Sequence, residues 1–251
     1  PRLVHIPTVP KDYLATLPTP ARISITRKKD QLNLDPELGI KAIQAYYASI
    51  SFADAQLGRI LDALDETKLS KNTIVIFTSD HGYHMGEHGH WQKTTLFENA
   101  ARVPLIMAGP GIATGHDASS IAEMVDLYPT LADLAGIDPP RFTSGISLKD
   151  GLIDPGKAPR TAALTQYENG YSIRTHRYRY TEWGEQGSDG KELYDHQSDP
   201  AEMHNLAEHQ DQRQTISRLA ELLQRRVQGA RQPPAGIQQI QFENKRKVPQ
   251  R

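Results

Sequence analysis

Apolar residues recur along this chain in two distinct rhythms. After Asp35-Pro36-Glu37, a capping residue with proline and an acid in the first turn, Ile40, Ile43, Tyr47, Ile50, Leu57, Leu61 and Leu64 keep a 3.6-residue period. The pattern predicts one long helix to about Asp65 whose apolar side packs on a sheet. Asp54 interrupts the stripe and reads as a half-buried carboxylate bonded to nearby backbone, and Gly58 as a point of close approach. Thr73 to Thr78 is instead an unbroken β-branched and aromatic run, which predicts a strand buried on both faces of a parallel sheet. Val103 to Ala108 reads as a second short strand, stopped by Gly109-Pro110-Gly111, with Pro104 where no N–H is needed.

The rest of the chain alternates more loosely. Pro1 to Pro20 is proline-rich and reads as extended, irregular backbone. Ser119-Ser120 reads as the start of an element carrying Met124 and Val125. Leu127 to Ala135 reads as a helix with Leu127, Leu131 and Leu134 inward and Gly136 as its stop. Ala162 to Tyr167 and Gly170 to Thr181 have strand composition, and Tyr178, Tyr180 and Trp183 alternate as a strand with one wet face would. Ile216, Leu219, Leu222, Leu223 and Val227 mark an amphipathic closing helix. Beyond Gly229 the tail loses all periodicity and reads as disordered.

Composition narrows the classes. In 251 residues there are 29 basic and 30 acidic side chains, so no electrostatic footprint for nucleic acid or an anionic membrane exists. No run of about 18 apolar residues suits a transmembrane helix, and no signal-peptide pattern opens the chain. The absence of cysteine excludes disulfides, thiolate metal sites and a cysteine nucleophile within these residues.

The chemistry concentrates at the end of the Thr73–Thr78 run. Open α/β sheets bind ligands at the carboxyl ends of their strands. Asp80 and His81 fall there, followed by Gly82, Gly86, Glu87, His88, His90, Trp91 and Lys93. A carboxylate beside an imidazole suits a metal, and the ammonium of Lys93 suits an anionic substrate held against it. The histidines at 81, 84, 88 and 90 also raise zinc, but neither a His-Glu-x-x-His helix nor a second ligand cluster accompanies them. His84, His88 and His90 read as supporting or pocket-lining groups, and Trp91 as a residue that packs the loop down.

The stretch Ser79-Asp80-His81-Gly82, Gly86-Glu87-His88-Gly89, Trp91-x-Lys93, Phe97-Glu98 and Arg102-Val103-Pro104-Leu105-Ile106 resembles the sulfatase family of the alkaline phosphatase superfamily, most of all its iduronate-2-sulfatase branch. The resemblance implies that Asp80 and His81 are ligands of an active-site calcium and that Lys93 contacts the sulfate group. His5-Ile6-Pro7 resembles the His-x-Pro segment whose histidine, His5 here, lies beside the leaving-group oxygen. Gly170 to Thr181 resembles the branch's small C-terminal sheet. Glu192-Leu193-Tyr194-Asp195 with Asp199-Pro200-x-Glu202 and Asn205-Leu206 resembles a closing motif whose acids fasten a turn to backbone amides.

The implied fold is α/β, the C-terminal part of a sulfatase-like mixed-sheet sandwich with a small antiparallel C-terminal subdomain and a closing helix. The divisions are 1–158 for the catalytic part, 159–228 for the small subdomain and 229–251 for the tail. The Cys/Ser-x-Pro-x-Arg segment that yields the family's formylglycine nucleophile is not in this chain, nor are two further aspartate ligands of the calcium. The expectation is therefore a sulfuric ester hydrolase acting on a sulfated carbohydrate, inactive as these residues alone. Its partners would be that substrate and either the missing N-terminal half or another copy of the chain, in a periplasmic, secreted or lysosomal setting. The alternatives are a phosphate or phosphonate ester hydrolase of the same superfamily, and a non-catalytic metal-binding remnant or subunit.

Overall fold

The computed structural model describes residues 4–118, 120–157 and 159–233. The proline-rich start is not wholly extended. Tyr13–Thr16 forms a 3-10 turn and α1 (Thr19–Thr26) follows, with Pro20 in the first turn where its missing N–H is harmless. Tyr13, Leu17, Ala21 and Ile25 fall on one buried line, and that apolar anchoring holds the segment against the core.

Helix α2 (Pro36–Glu66) begins where the cap predicts, with the Asp35 side chain accepting from Leu38 N at 3.1 Å. Its packing does not follow the prediction. Gly39 and Ile43 are its buried residues, whereas Tyr47, Ile50, Phe52 and Ile60 are exposed. No described layer faces that stripe. Asp54 is exposed rather than half-buried, and no atom lies within 4 Å of a Cβ built on Gly58, so neither special role holds.

Strand β1 (Val75–Thr78) leads to the site loop. Helix α3 (Glu98–Ala101) follows the loop, and β2 (Leu105–Ala108) returns antiparallel to β1, pairing Phe77 with Ile106. The expected parallel sheet is thus replaced by an antiparallel pair among the described residues, and Phe77 is 42% exposed because one neighbour cannot cover both faces. Pro104 stands just before β2, outside the ladder.

Ser119 lies outside the described residues. Met124–Asp126 is a 3-10 turn closed by reciprocal bonds between Glu123 and Asp126, and α4 (Leu127–Leu134) follows it. The inward face of α4 carries Pro129 and Thr130 while Leu131 is exposed. Thr130 turns that face inward, because its hydroxyl donates to Asp126 O at 2.6 Å and accepts from Leu148 N at 2.9 Å. Gly136 ends the helix region at φ +70°, as the sequence predicts, and α5 (Lys149–Ile153) completes this part.

Strands β3 (Ala162–Tyr167), β4 (Gly170–Thr175), β5 (Tyr178–Trp183) and β6 (Gly190–Asp195) form an antiparallel sheet in that order, and α6 (Arg213–Arg231) closes it. Leu219 and Leu223 of α6 pack on Ile173, Tyr180 and Leu193. Trp183 and Tyr194 on the other face pack against Tyr13, Leu17, Leu96 and Phe97. The wet face expected for β5 is therefore absent: Arg179 and Thr181 are buried as well. Two acid–arginine knots tie the sheet to what precedes it. In one, Glu123 meets Arg160 at 2.9 Å and Arg226 of α6 at 2.7 Å, and Arg160 also binds Asp126. The tail expected to be disordered lies outside the described residues from 234 onward.

Candidate functional site

The loop between β1 and α3 folds on itself before it reaches the site. His84 N donates to Gln92 O at 2.8 Å and Gly86 N to His90 O at 2.9 Å, closing a tight excursion whose turn needs Gly86 at φ +109° and His88 at φ 57°. Trp91 packs it down as expected: its ring lies 3.1 Å from the position a Cβ would take on Gly39 of α2.

The excursion brings Lys93 back onto His81, and Lys93 Nζ meets His81 Nε2 directly. His81 Nδ1 lies 2.8 Å from Gly82 O. A carbonyl only accepts, so Nδ1 carries the proton and Nε2 presents its lone pair to the Lys93 ammonium. The Asp80 carboxylate stands 3.4 Å from that nitrogen, and its side chain is 82% exposed. Asp80 Oδ1 also accepts from His81 N at 3.1 Å, and Ser79 Oγ donates to His81 O at 2.9 Å, which fixes the backbone under the pair.

Asp80, His81 and Lys93 are thus gathered on the wall of a cleft of about 1970 Å³ that also takes in Pro7, Thr8, Glu98 and Arg174. His5 is exposed, and no hydrogen bond or ion pair joins it to Asp80, His81 or Lys93 among the described residues. Its neighbours Pro7 and Thr8 do line the cleft.

The donor set suits a hard cation in part. An open carboxylate and an imidazole lone pair are two donors, where calcium takes six to eight. No zinc site forms from the other histidines. His84, His88 and His90 are buried in the packing beneath the loop, with their nitrogens committed to Tyr13, Thr94, Thr95 and the Glu87 carbonyl.

Sequence reasoning missed a second cluster. Glu98, His196 and Glu202 offer ligand atoms within 4.8 Å of one another, a possible metal-binding group. Arg179 competes for that position: its guanidinium donates to Glu202 Oε1 at 2.6 Å and also bonds Glu98. His196 Nε2 lies 2.8 Å from the same Glu202 oxygen, and Glu202 Oε2 accepts from Glu98 N at 2.6 Å. Burial alone would raise the Glu202 carboxyl, yet Arg179 and His196 hold it down at about 2. The visible signal was an arginine flanked by Tyr178 and Tyr180 in β5.

The profile described as "Sulfatase" matches residues 4–137, more than half of the chain. The chain belongs to the sulfatase family. A second profile, "N-sulphoglucosamine sulphohydrolase, C-terminal", matches residues 86–229. A sulfatase of Formosa agariphila is 34% identical over 248 residues, covering 87% of this chain and 47% of the relative. Mouse iduronate 2-sulfatase is 33% identical over 241 residues, covering 66% and 44%. Among solved structures, a protein in complex with its substrate D-glucosamine-2-N,6-O-disulfate superposes with TM-score 0.74 at 31% identity, over 86% of this chain and 47% of that one. A phosphonate monoester hydrolase from Silicibacter pomeroyi superposes with TM-score 0.79 at 24% identity, over 90% and 51%, which is a likeness of fold alone. The chain spans about half the length of the curated relatives it matches.

Proposed function

We propose that this sulfatase chain forms the C-terminal half of a sulfuric ester hydrolase site that acts on a sulfated carbohydrate. The observation that carries the reading is the meeting of Lys93 Nζ with His81 Nε2 beside the open Asp80 carboxylate, at the end of a strand and on a cleft wall. Asp80 and His81 would hold calcium, which neutralises charge on the sulfuryl oxygens, and a formylglycine from the N-terminal half would supply the nucleophile. Lys93 holds a sulfate oxygen through its ammonium and is steered by His81 while no cation occupies the lone pair. His5 lies two residues before Pro7, which borders the cleft, and in the whole site it would give a proton to the leaving alkoxide. Residues 1–158 would supply the catalytic part and 159–228 the supporting subdomain, and the exported setting of the protein is part of the same proposal.

The exposed stripe of α2 and the half-covered β1–β2 pair are surfaces that the N-terminal half would cover. The test is titration of the chain with D-glucosamine-2-N,6-O-disulfate in calcium, followed by addition of a polypeptide carrying the N-terminal half. Calcium-dependent binding that Lys93→Met abolishes, with turnover arising only on mixing, is the expected result. Calcium-independent binding untouched by Lys93→Met would sink the reading. A phosphate or phosphonate ester is the second reading, favoured by a phosphonate monoester hydrolase of Agrobacterium radiobacter that superposes with TM-score 0.66 at 30% identity. A tetrahedral anion of either kind satisfies Lys93 and a cation, and comparison of sulfate and phosphonate monoesters in the mixed sample separates the two.

A further inference from the structure

Beneath the site, the loop is fastened to the core by imidazoles. His84, His88 and His90 are 0 to 2% exposed. The His84 ring centroid lies 5.5 Å from that of His88 and 5.1 Å from that of His90. His88 stacks on Phe97 at 3.9 Å with the planes 8° apart and takes the Tyr13 hydroxyl on Nδ1. His84 Nδ1 faces the Glu87 carbonyl at 3.2 Å, so it carries the proton, and Nε2 accepts from Thr95 Oγ1 at 2.8 Å. His90 Nε2 meets Thr94 Oγ1 at 3.3 Å, and the ring is also held by Ile25 backbone. Every one of these contacts works with a neutral ring. His88 accepts its place at φ 57°, unusual for a residue with a Cβ, which marks how strongly the stack and the Tyr13 bond determine it.

Three neutral rings share this space without cost, but three imidazolium ions about 5 Å apart and away from water do not. The charged and titratable groups around the cluster come from four elements. The loop itself contributes the Glu87 carbonyl, while the Glu87 carboxylate accepts from Met85 N; the N-terminal turn contributes Tyr13, and β6 contributes Tyr194 against Phe97 and Glu192 acting on Tyr13. The turn after β6 contributes Asp199 and Glu202, whose charge favours protonation, but Glu202 is already matched by Arg179 and His196. Burial prevails, pushing His84 down to about 3 and His88 to about 4, with His90 also lowered.

We infer that His84, His88 and His90 form a proton-operated latch that keeps the Lys93-bearing loop shut at neutral pH and releases it on acidification. Its regulatory meaning rests on the site reading above, whereas the latch itself rests on the geometry of the three rings. An imidazole whose pKa is depressed in the closed state lends full stability above its ordinary value near 6.5 and loses it as pH falls. Opening frees His84 and His88, both held well below that value, so the opening constant rises roughly a hundredfold between pH 7.5 and 5.5, and His90 adds to the rise.

The test is hydrogen exchange of the chain at those two pH values, corrected for the intrinsic pH dependence, with residues 82–97 compared against the β3–β6 sheet. Loop protection is expected to fall by about two decades or more while the sheet changes less than tenfold, and His90→Gln should shrink the loop response by up to about one decade over that whole interval. A loop response within threefold, or a parallel loss in loop and sheet, overturns the latch. If His90→Gln does not fold, the comparison of loop with sheet in the unmodified chain still decides. Titration with D-glucosamine-2-N,6-O-disulfate at pH 7.5 separates the two readings: lost Lys93-dependent binding removes the site and leaves the latch, and unchanged binding with a flat loop response does the reverse.

Discussion

The guanidinium of Arg179 bonds Glu202 through Nε and Glu98 through Nη2, so one buried side chain on β5 joins the helix behind the site loop to the turn behind the sheet. Nε of Arg174 adds a further contact to Glu98 at 3.3 Å. Glu98 directly follows Phe97, on which His88 stacks, and through it the C-terminal sheet sets the height of the loop.

Arg179→Leu removes the guanidinium between buried Glu202 and half-buried Glu98 and is expected to destabilise the chain by about 3–5 kcal/mol, read as a lower midpoint in urea. Glu202→Gln should act on the acid limb. A carboxyl depressed to about 2 contributes stability above its ordinary range and loses it as pH falls from about 4.5 toward 2. The variant should therefore be weaker at pH 7 and lose less between pH 4.5 and 2. An acid limb parallel to that of the parent would refute the assignment.

Glu192 has the opposite sign. Burial raises its carboxyl to about 7, although Trp183 Nε1 at 2.6 Å and the Tyr194 hydroxyl at 2.8 Å both donate to it. The neutral form is favoured in the folded chain, so its penalty builds as pH rises from about 4.5 to 7. Glu192→Gln should gain about 1–3 kcal/mol relative to the parent on going from pH 5 to pH 8, measured by denaturation at both.

Asp80→Ala should leave stability within about 0.5 kcal/mol, since the side chain is mostly in water. The same change should abolish any calcium-dependent rise in melting temperature. A calcium effect that survives would place the cation elsewhere, and Glu202 would be the next residue to change.

Gly82→Ala is expected to be far more disruptive than its size suggests. A Cβ there would stand 2.0 Å from the Asn99 carbonyl oxygen, and backbone cannot swing aside. The expected loss is about 1–3 kcal/mol, with weakened binding of sulfated sugar as the loop shifts.

The uncovered face of α2 predicts self-association. Phe52 and Ile60 are 68% and 65% exposed, so Phe52→Glu with Ile60→Lys should lower the light-scattering mass at high concentration while leaving stability within about 0.5 kcal/mol. Unchanged mass would mean the stripe is not the sticky surface.

The sequence made some of this legible and hid the rest for definite reasons. Local rules worked where the cause is local: the Asp35 cap, the Gly136 stop, the stripe of α6, and the fastening of the closing turn. In that turn Asp199 accepts from His204 N at 2.7 Å and Asn205 from Leu193 N at 3.0 Å. Asp80, His81 and Lys93 were legible because a short excursion returns one to the others. Burial was not, because it depends on what lies opposite. Arg179 and Thr181 look like a wet face until Glu98 and Glu202 arrive from distant segments. The α2 stripe looks like a core face, yet none of the described layers meets it. Three histidines in a glycine-rich loop read as supporting or pocket-lining groups, and only Tyr13 and Phe97, brought from either side of the loop, reveal how deeply they are packed.

The placing of the two tryptophans has a practical consequence. Trp91 is buried in the site loop against Gly39, and Trp183 is buried in β5 beside Glu192. The chain therefore carries one tryptophan in the site loop and one in the C-terminal sheet, beside ten tyrosines that red-edge excitation leaves silent. Replacing either with phenylalanine turns ordinary emission spectra into a reporter for the other part alone.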